Sequence, residues 1–292
     1  MKKYQSKIFG FAFTLCVMFS GDISFAQYTP EQEFNKGVAS YQGGDFQQAI
    51  QYFNQFLQSR PENAYAYNYL GLCYLGLNNK QSALDNFGTA IQLAPNFDAP
   101  YLNRGNLYFA DSMYDAAVSD FTNAIQNNPQ NYQPYYDRGR VYLKQNNPGV
   151  ALSDFNSALT LVQGTPDEVT DYDVSDIYSE RALAHFKMDD STDGFADIDK
   201  ALQHNPQSFR AYYIRAIYYL DKGEQMKALS DLNYVIQYNP RYYEAYYVRG
   251  KILANLKSYE NALNDFKTAI ELHPPYESQL QDEITDLERK VK

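Results

Sequence analysis

The sequence predicts an all-α protein, a solenoid of about seven helix-turn-helix units closed by a C-terminal capping helix. Three observations carry that prediction. Prolines recur 34 residues apart in two runs, Pro61, Pro95, Pro129 and Pro206, Pro240, Pro274. In the same register, glycine stands at Gly37, Gly71, Gly105, Gly139 and Gly250, and alanine at Ala49, Ala83, Ala117, Ala151, Ala228 and Ala262. A bulky apolar residue holds a third fixed place, at Phe53, Phe87, Phe121, Phe155, Ile198, Leu232 and Phe266. A fixed period of this length marks a repeat array, whose two-helix units cannot bury their apolar faces alone and must stack.

Counting each proline as position 32 of its unit puts the glycines at position 8, the alanines at 20 and the bulky residues at 24. Small residues at 8 and 20 let two helices approach closely, the residue at 24 fills the space between them, and proline ends the second helix. The units run approximately 30–63, 64–97, 98–131, 132–163, 175–208, 209–242 and 243–275.

Residues 1–26 read as a secretory signal ahead of the array. Lys2, Lys3 and Lys7 give a basic start, Ile8 to Phe19 is apolar, and Ser24 and Ala26 are small residues before a cleavage point at Gln27. The apolar run is too short for an ordinary membrane span. Cys16 follows Phe13, Thr14 and Leu15, which is a poor context for lipidation. The array itself starts on Thr29-Pro30-Glu31-Gln32, an N-cap with a first-turn proline and a capping glutamine. With the leader removed, Cys73 is the one cysteine left, so no intramolecular disulfide can form. It reads as a small buried helix residue.

The fifth unit departs from the pattern. A nine-residue insertion, 164–172 (GTPDEVTDY), precedes it, and it carries Ala182 where glycine is expected and Gly194 where alanine is expected. A glycine inside a helix is a local weakness, so this unit is expected to be the weak joint and its insertion a loop. At the far end, Tyr276, Leu280, Ile284, Leu287 and Val291 form an apolar stripe over 276–292 that can cover the last unit.

These residues resemble the tetratricopeptide repeat, with tyrosine instead of tryptophan at position 4 in Tyr67, Tyr101, Tyr135, Tyr178, Tyr212 and Tyr246. The resemblance spans about 30–274 and implies a right-handed superhelix. It also places position 4 in the core and positions 2, 5, 9, 12 and 13 on a concave groove that holds extended segments of partners. Carried onto this chain, the groove residues are Asn106, Phe109, Tyr136, Arg140, Lys144, Phe186, Lys187, Arg210, Tyr213, Ile217, Tyr247 and Lys251. Their rings and cations suit a partner segment with apolar or aromatic anchors and a carboxylate. The clamp residues of the subclass that binds chaperone tails do not occur together in consecutive units.

Charge supplies a second periodic feature. Arginine holds position 7 in Arg104, Arg138, Arg181, Arg215 and Arg249, and each of those units has aspartate at position 23, namely Asp120, Asp154, Asp197, Asp231 and Asp265. If the helices turn near position 15, residues 7 and 23 lie opposite each other. Five helix-to-helix ion pairs are therefore expected, fixing register rather than binding ligand.

The net charge of −10 and pI near 4.8 argue against a general nucleic-acid binder. No catalytic motif, cofactor signature or histidine metal spacing stands out, so the reading is non-catalytic and without cofactor. Asp189, Ser191, Asp193, Gly194 and Asp197 echo a calcium loop, but Lys200 stands where its bidentate glutamate belongs. The functional expectation is an exported, periplasmic or secreted scaffold that binds a protein or peptide and helps organise an envelope complex. The alternative is a carbohydrate-handling role in polysaccharide export or binding, because tyrosines can stack on sugars; the lack of tryptophan weighs against it.

Overall fold

A computed structural model describes residues 29–164 and 169–291. The leader expected at 1–26 and the middle of the insertion, 165–168, lie outside them. Fourteen helices form seven antiparallel pairs: α1 (Pro30–Gln42) with α2 (Phe46–Ser59), α3 (Ala64–Gly76) with α4 (Lys80–Leu93), α5 (Asp98–Ala110) with α6 (Tyr114–Asn127), and α7 (Gln133–Lys144) with α8 (Pro148–Gly164). They continue as α9 (Asp171–Lys187) with α10 (Ser191–His204), α11 (Phe209–Asp221) with α12 (Gln225–Tyr238), and α13 (Tyr243–Asn255) with α14 (Tyr259–Leu272). A single 3-10 turn, Pro274–Tyr276, leads into α15 (Glu277–Val291). The first helices also touch one another in succession from α1 to α11, which places them on the inside of the superhelical curve.

Every pair turns in the same way. Position 15 has a positive φ in all seven units: Gly44, Asn78, Ser112, Asn146, Asp189, Gly223 and Lys257. The residue after it donates back to a carbonyl five residues earlier, as in Asn79 to Tyr74 (2.8 Å) and Ser258 to Leu253 (2.8 Å), the bond that closes a helix on a left-handed residue. Glycine and asparagine accept this geometry readily, and lysine at 257 does not.

The core follows the repeat. Rings at Phe53, Phe87, Phe121, Phe155 and Phe266 are fully buried or nearly so, each against the glycine at position 8 of its own unit. A methyl placed on Gly139 would lie 2.7 Å from the Phe155 ring, and one on Gly71 2.4 Å from Phe87. Where position 24 is aliphatic, as in Ile198 and Leu232, position 8 is alanine, Ala182 and Ala216. The two positions share one volume.

That rule corrects the reading of the fifth unit as a weak joint. Gly194 lies in contact with the Phe186 ring, where a methyl would be 2.4 Å from it. Phe186 stacks in turn on Tyr218 at 4.3 Å and meets Phe195 edge-on at 5.3 Å. Glycine at 194 is thus the residue that admits an extra ring between helices. The insertion is likewise only partly a loop. Gly164 ends α8, while Asp171 and Tyr172 begin α9 behind a capping box of Thr170 and Asp173.

All five arginine–aspartate pairs form, each with two parallel hydrogen bonds of 2.7–2.8 Å. The aspartates are buried and the arginines half-buried. In three pairs the remaining guanidinium nitrogen reaches the preceding unit: Arg138 to Thr122 (2.9 Å), Arg181 to Asn156 (2.7 Å) and Arg249 to Asn233 (2.7 Å). Bidentate, desolvated pairing of this kind fixes the register of two helices and of two units together. It also holds Arg138, Arg215 and Arg249 above the ordinary arginine pKa, mainly through the hydrogen bond to the aspartate.

Of the tyrosines at position 4, Tyr178 is buried in the core as expected, while the other five are only half-buried. Tyr246 and Tyr212 are half-buried, and their hydroxyls donate to the carbonyls of Pro240 (3.2 Å) and Pro206 (3.4 Å). Their rings lie beneath Arg249 and Arg215, at 5.7 and 5.4 Å. A phenol needs a hydrogen-bond partner when buried, and the edge of the unit supplies one where the core cannot. At the C-terminal end, Leu280, Ile284 and Leu287 of α15 are buried against Ala262 and Phe266. Tyr276 packs against the same cluster and on Tyr243 and Tyr247, while Val291 falls outside it with 38% exposure.

Candidate functional site

The inner wall gathers most of the residues expected to line a groove, and it adds acids that change their chemistry. Arg140 and Arg210 converge on one oxygen of Glu180, at 3.9 and 2.6 Å. Arg210 also reaches Asp176 at 3.2 Å, and Arg140 reaches Asp137 at 3.3 Å. Gln133 donates to the other oxygen of Asp137 at 3.0 Å. The Arg140 guanidinium lies over Phe109 (5.0 Å) and Tyr136 (5.5 Å). This network crosses three units, from α7 through α9 to α11.

The two arginines expected to meet a partner's carboxylate are therefore neutralised within the chain. Three carboxylates face two guanidinium groups. Burial raises the Asp137 and Asp176 carboxyls above the usual carboxylate value, with the arginines and their hydrogen bonds working against it. Burial works to lower Arg210, yet Tyr136, Glu180 and Asp176 hold it above its ordinary value. A network that is satisfied on all sides fixes the surface around it.

The remaining expected residues divide by exposure. Asn106, Lys144, Lys187 and Lys251 are exposed, and Lys251 donates to the Tyr247 hydroxyl at 3.3 Å. Phe109, Tyr213, Ile217 and Tyr247 are half-buried along the wall. Tyr136, 8% exposed, belongs to the core, and Phe186 packs between helices. Neither presents a free ring.

Sequence reasoning missed Asp137, Asp176 and Glu180 in this network, and Glu244 in the first turn of α13. Asp176 and Glu244 occupy position 2, one of the groove positions. Asp137 and Glu180 occupy position 6, where the other units carry Asn, Tyr, Ile or Val, so acids there in two successive units were the available signal.

For metal, His185, Asp190 and Asp193 bring three ligand atoms within 4.8 Å of one another. Asp190 is already engaged as the N-cap of α10, accepting from the Asp193 N–H (3.2 Å) and meeting His185 Nδ1 (3.2 Å). The segment resembling a calcium loop is helical from Ser191 onward, and the Asp197 carboxylate faces Arg181. No helix among the described residues is long and apolar enough to cross a membrane.

Fold and site together define a class: a helical-repeat scaffold for protein–protein interaction, a class generally without catalysis. The family model for the tetratricopeptide repeat matches residues 34–96, 102–167 and 216–277, and a second such model matches 198–230. The chain belongs to the tetratricopeptide repeat family. No curated protein matches the sequence. Among solved structures, a tetratricopeptide repeat protein from Parabacteroides merdae superposes with a TM-score of 0.72 at 20% identity, covering 90% of this chain and 99% of that one. The Cut9–Hcn1 hetero-tetramer of the APC/C gives 0.68 at 16% identity over 86% of this chain and 48% of that one. PilF of Pseudomonas aeruginosa gives 0.59 at 18% identity, over 72% and 92%. At these identities the likeness is one of fold.

Proposed function

We propose that this protein is an exported, non-catalytic scaffold whose inner groove holds an extended segment of a protein partner and which helps organise an envelope complex. The observation that carries the groove assignment is the contrast between the repeated arginine–aspartate pairs and the network around Glu180. Among the described residues the network occurs once; it crosses units four to six, lies over Phe109 of unit three, and braces the inner wall on which Tyr213 and Ile217 remain accessible. A preorganised wall lowers the ordering cost of binding. Export rests on the leader pattern of residues 1–26.

A photoreactive amino acid placed at Tyr247, on the inner wall, and separately at Tyr234, on the second helix of unit six, tests the groove. The proposal expects a defined crosslinked protein from position 247 and none from 234; equal yields from both would remove the groove. Fractionation of the producing cells tests export, with the expected mature N-terminus at Gln27 in the envelope fraction and an intact Met1 in the cytosol as the contrary result.

A further inference from the structure

Glu244 lies in the first turn of α13, and its Oε2 is buried without a hydrogen-bond partner. An unpartnered carboxylate oxygen carries a desolvation cost that a cation or donor would offset. The two basic groove residues nearest to it in the repeat register have partners of their own, one of them at the edge of the same tyrosine group. Arg210, the position-2 residue one repeat earlier, reaches back to Asp176 and Glu180, and Lys251, two turns further along α13, donates to the Tyr247 hydroxyl.

The Tyr243 hydroxyl is hydrogen-bonded to the Glu244 carboxylate, whose Oε2 stays unpartnered, and further tyrosines pack around Tyr243. Tyr213 meets Tyr242 edge-on at 4.9 Å, Tyr276 meets Tyr243 edge-on at 5.2 Å, and Tyr247 lies 5.1 Å from Tyr276. All five are half-buried. Burial first, and the Glu244 charge second, raise the phenol pKa of Tyr213, Tyr243 and Tyr276; Glu244 adds to the rise at Tyr242 after burial and Tyr213. Four phenols thus lie in the field of one carboxylate. Ring faces and phenol oxygens both present negative potential, and a carboxylate among them makes a site for a cation rather than an anion.

We infer that this site receives the ammonium group of a lysine side chain from the partner segment, an inference that rests on the groove reading above. Charge agrees: the chain carries −10 overall, and the neighbouring network already holds three carboxylates against two arginines. A basic segment would lay its lysine beside Glu244 and its apolar residues along Tyr213 and Ile217.

The test is a titration of the full chain, labelled with 13C in its tyrosine rings, with N-acetyl-lysine methylamide, N-acetyl-norleucine methylamide and tetramethylammonium. The expected result is saturable shifts of the rings around Glu244 with the lysine probe alone, weakened about tenfold or more in Glu244→Gln. Tyr276→Leu, a second variant that leaves the carboxylate in place, is expected to weaken the lysine probe about two- to fivefold. The inference is overturned by absent lysine shifts, by equal shifts with norleucine, by unchanged lysine affinity in a folded Glu244→Gln, or by tighter tetramethylammonium binding, which would assign the site to quaternary headgroups. The probe is a single capped residue, so the titration reads the site without the partner. A groove that crosslinks its partner while ignoring lysine sinks this inference alone, and lysine binding without any groove crosslink sinks the groove reading alone.

Discussion

Two sets of arginine–carboxylate contacts in this molecule look alike at the level of one bond and differ in arrangement. Between the two helices of a unit, Arg104, Arg138, Arg181, Arg215 and Arg249 repeat one geometry five times, each with its own aspartate. On the inner wall, Arg140 and Arg210 share Glu180 in an arrangement that occurs once. Periodic pairs solve a problem every unit has, that of setting helix register. An aperiodic network does not serve that shared need, and in this scaffold it lies on the inner wall.

The comparison breaks most readily at a periodic pair. Arg138→Gln leaves Asp154 buried without its cation and loses the bond to Thr122, so a loss of about 3–5 kcal/mol in denaturant unfolding is expected. Arg210→Gln leaves Glu180 with Arg140 and takes the arginine from Asp176, whose side chain is 42% exposed and can turn to water, so a smaller loss is expected. If the two variants unfold at the same midpoint, the distinction between the sets fails.

Packing gives the next effect. Gly139→Ala drives a methyl against Phe155 and is expected to cost about 1–3 kcal/mol. Adding Phe155→Leu should recover most of that loss, because units five and six already combine alanine at position 8 with an aliphatic residue at 24. No recovery in the double variant would refute the shared-volume rule. At the turn, Lys257→Gly relieves a left-handed lysine and should raise stability by about 1 kcal/mol; a decrease would show that the lysine side chain contributes more than its backbone strain removes.

The smallest effect is in pH. Burial raises the Asp137 carboxyl above its unfolded value, so its contribution to stability is full at low pH and is lost as pH rises through the folded value. Asp137→Asn should therefore gain on the wild type as pH rises above about 4, the ordinary carboxylate value, read as the difference between their unfolding midpoints. A difference that stays flat or reverses would place the cost elsewhere.

Periodicity decided which parts of this structure the sequence could reveal. The Arg138–Asp154 pair and its four counterparts were legible because they repeat in register, and antiparallel geometry dictates that positions 7 and 23 meet. The extra ring of Phe186 against Gly194 was not, since a single exchange of glycine and alanine looks like weakness until the neighbour filling the space is known. Tyr246 was misplaced for another reason: spacing tells which face a ring is on, while the need of its hydroxyl for the Pro240 carbonyl decides how deep it sits. Around Glu180 the limit is deeper, because three units supply the charges and position 6 carries an acid in only two of the seven, too few to read as a period.

The central claim, that the repeated pairs hold the array and the inner wall holds the partner, is tested most directly by one paired measurement. Thermal unfolding and capture of the protein crosslinked from position 247 would be compared for Arg249→Gln and for Asn106→Arg combined with Lys144→Glu, two exposed groove positions away from the crosslinker. The account predicts a clearly lower midpoint for the first with capture retained while it remains folded, and near-normal unfolding with lost capture for the second. Capture retained by the folded groove variant would contradict it.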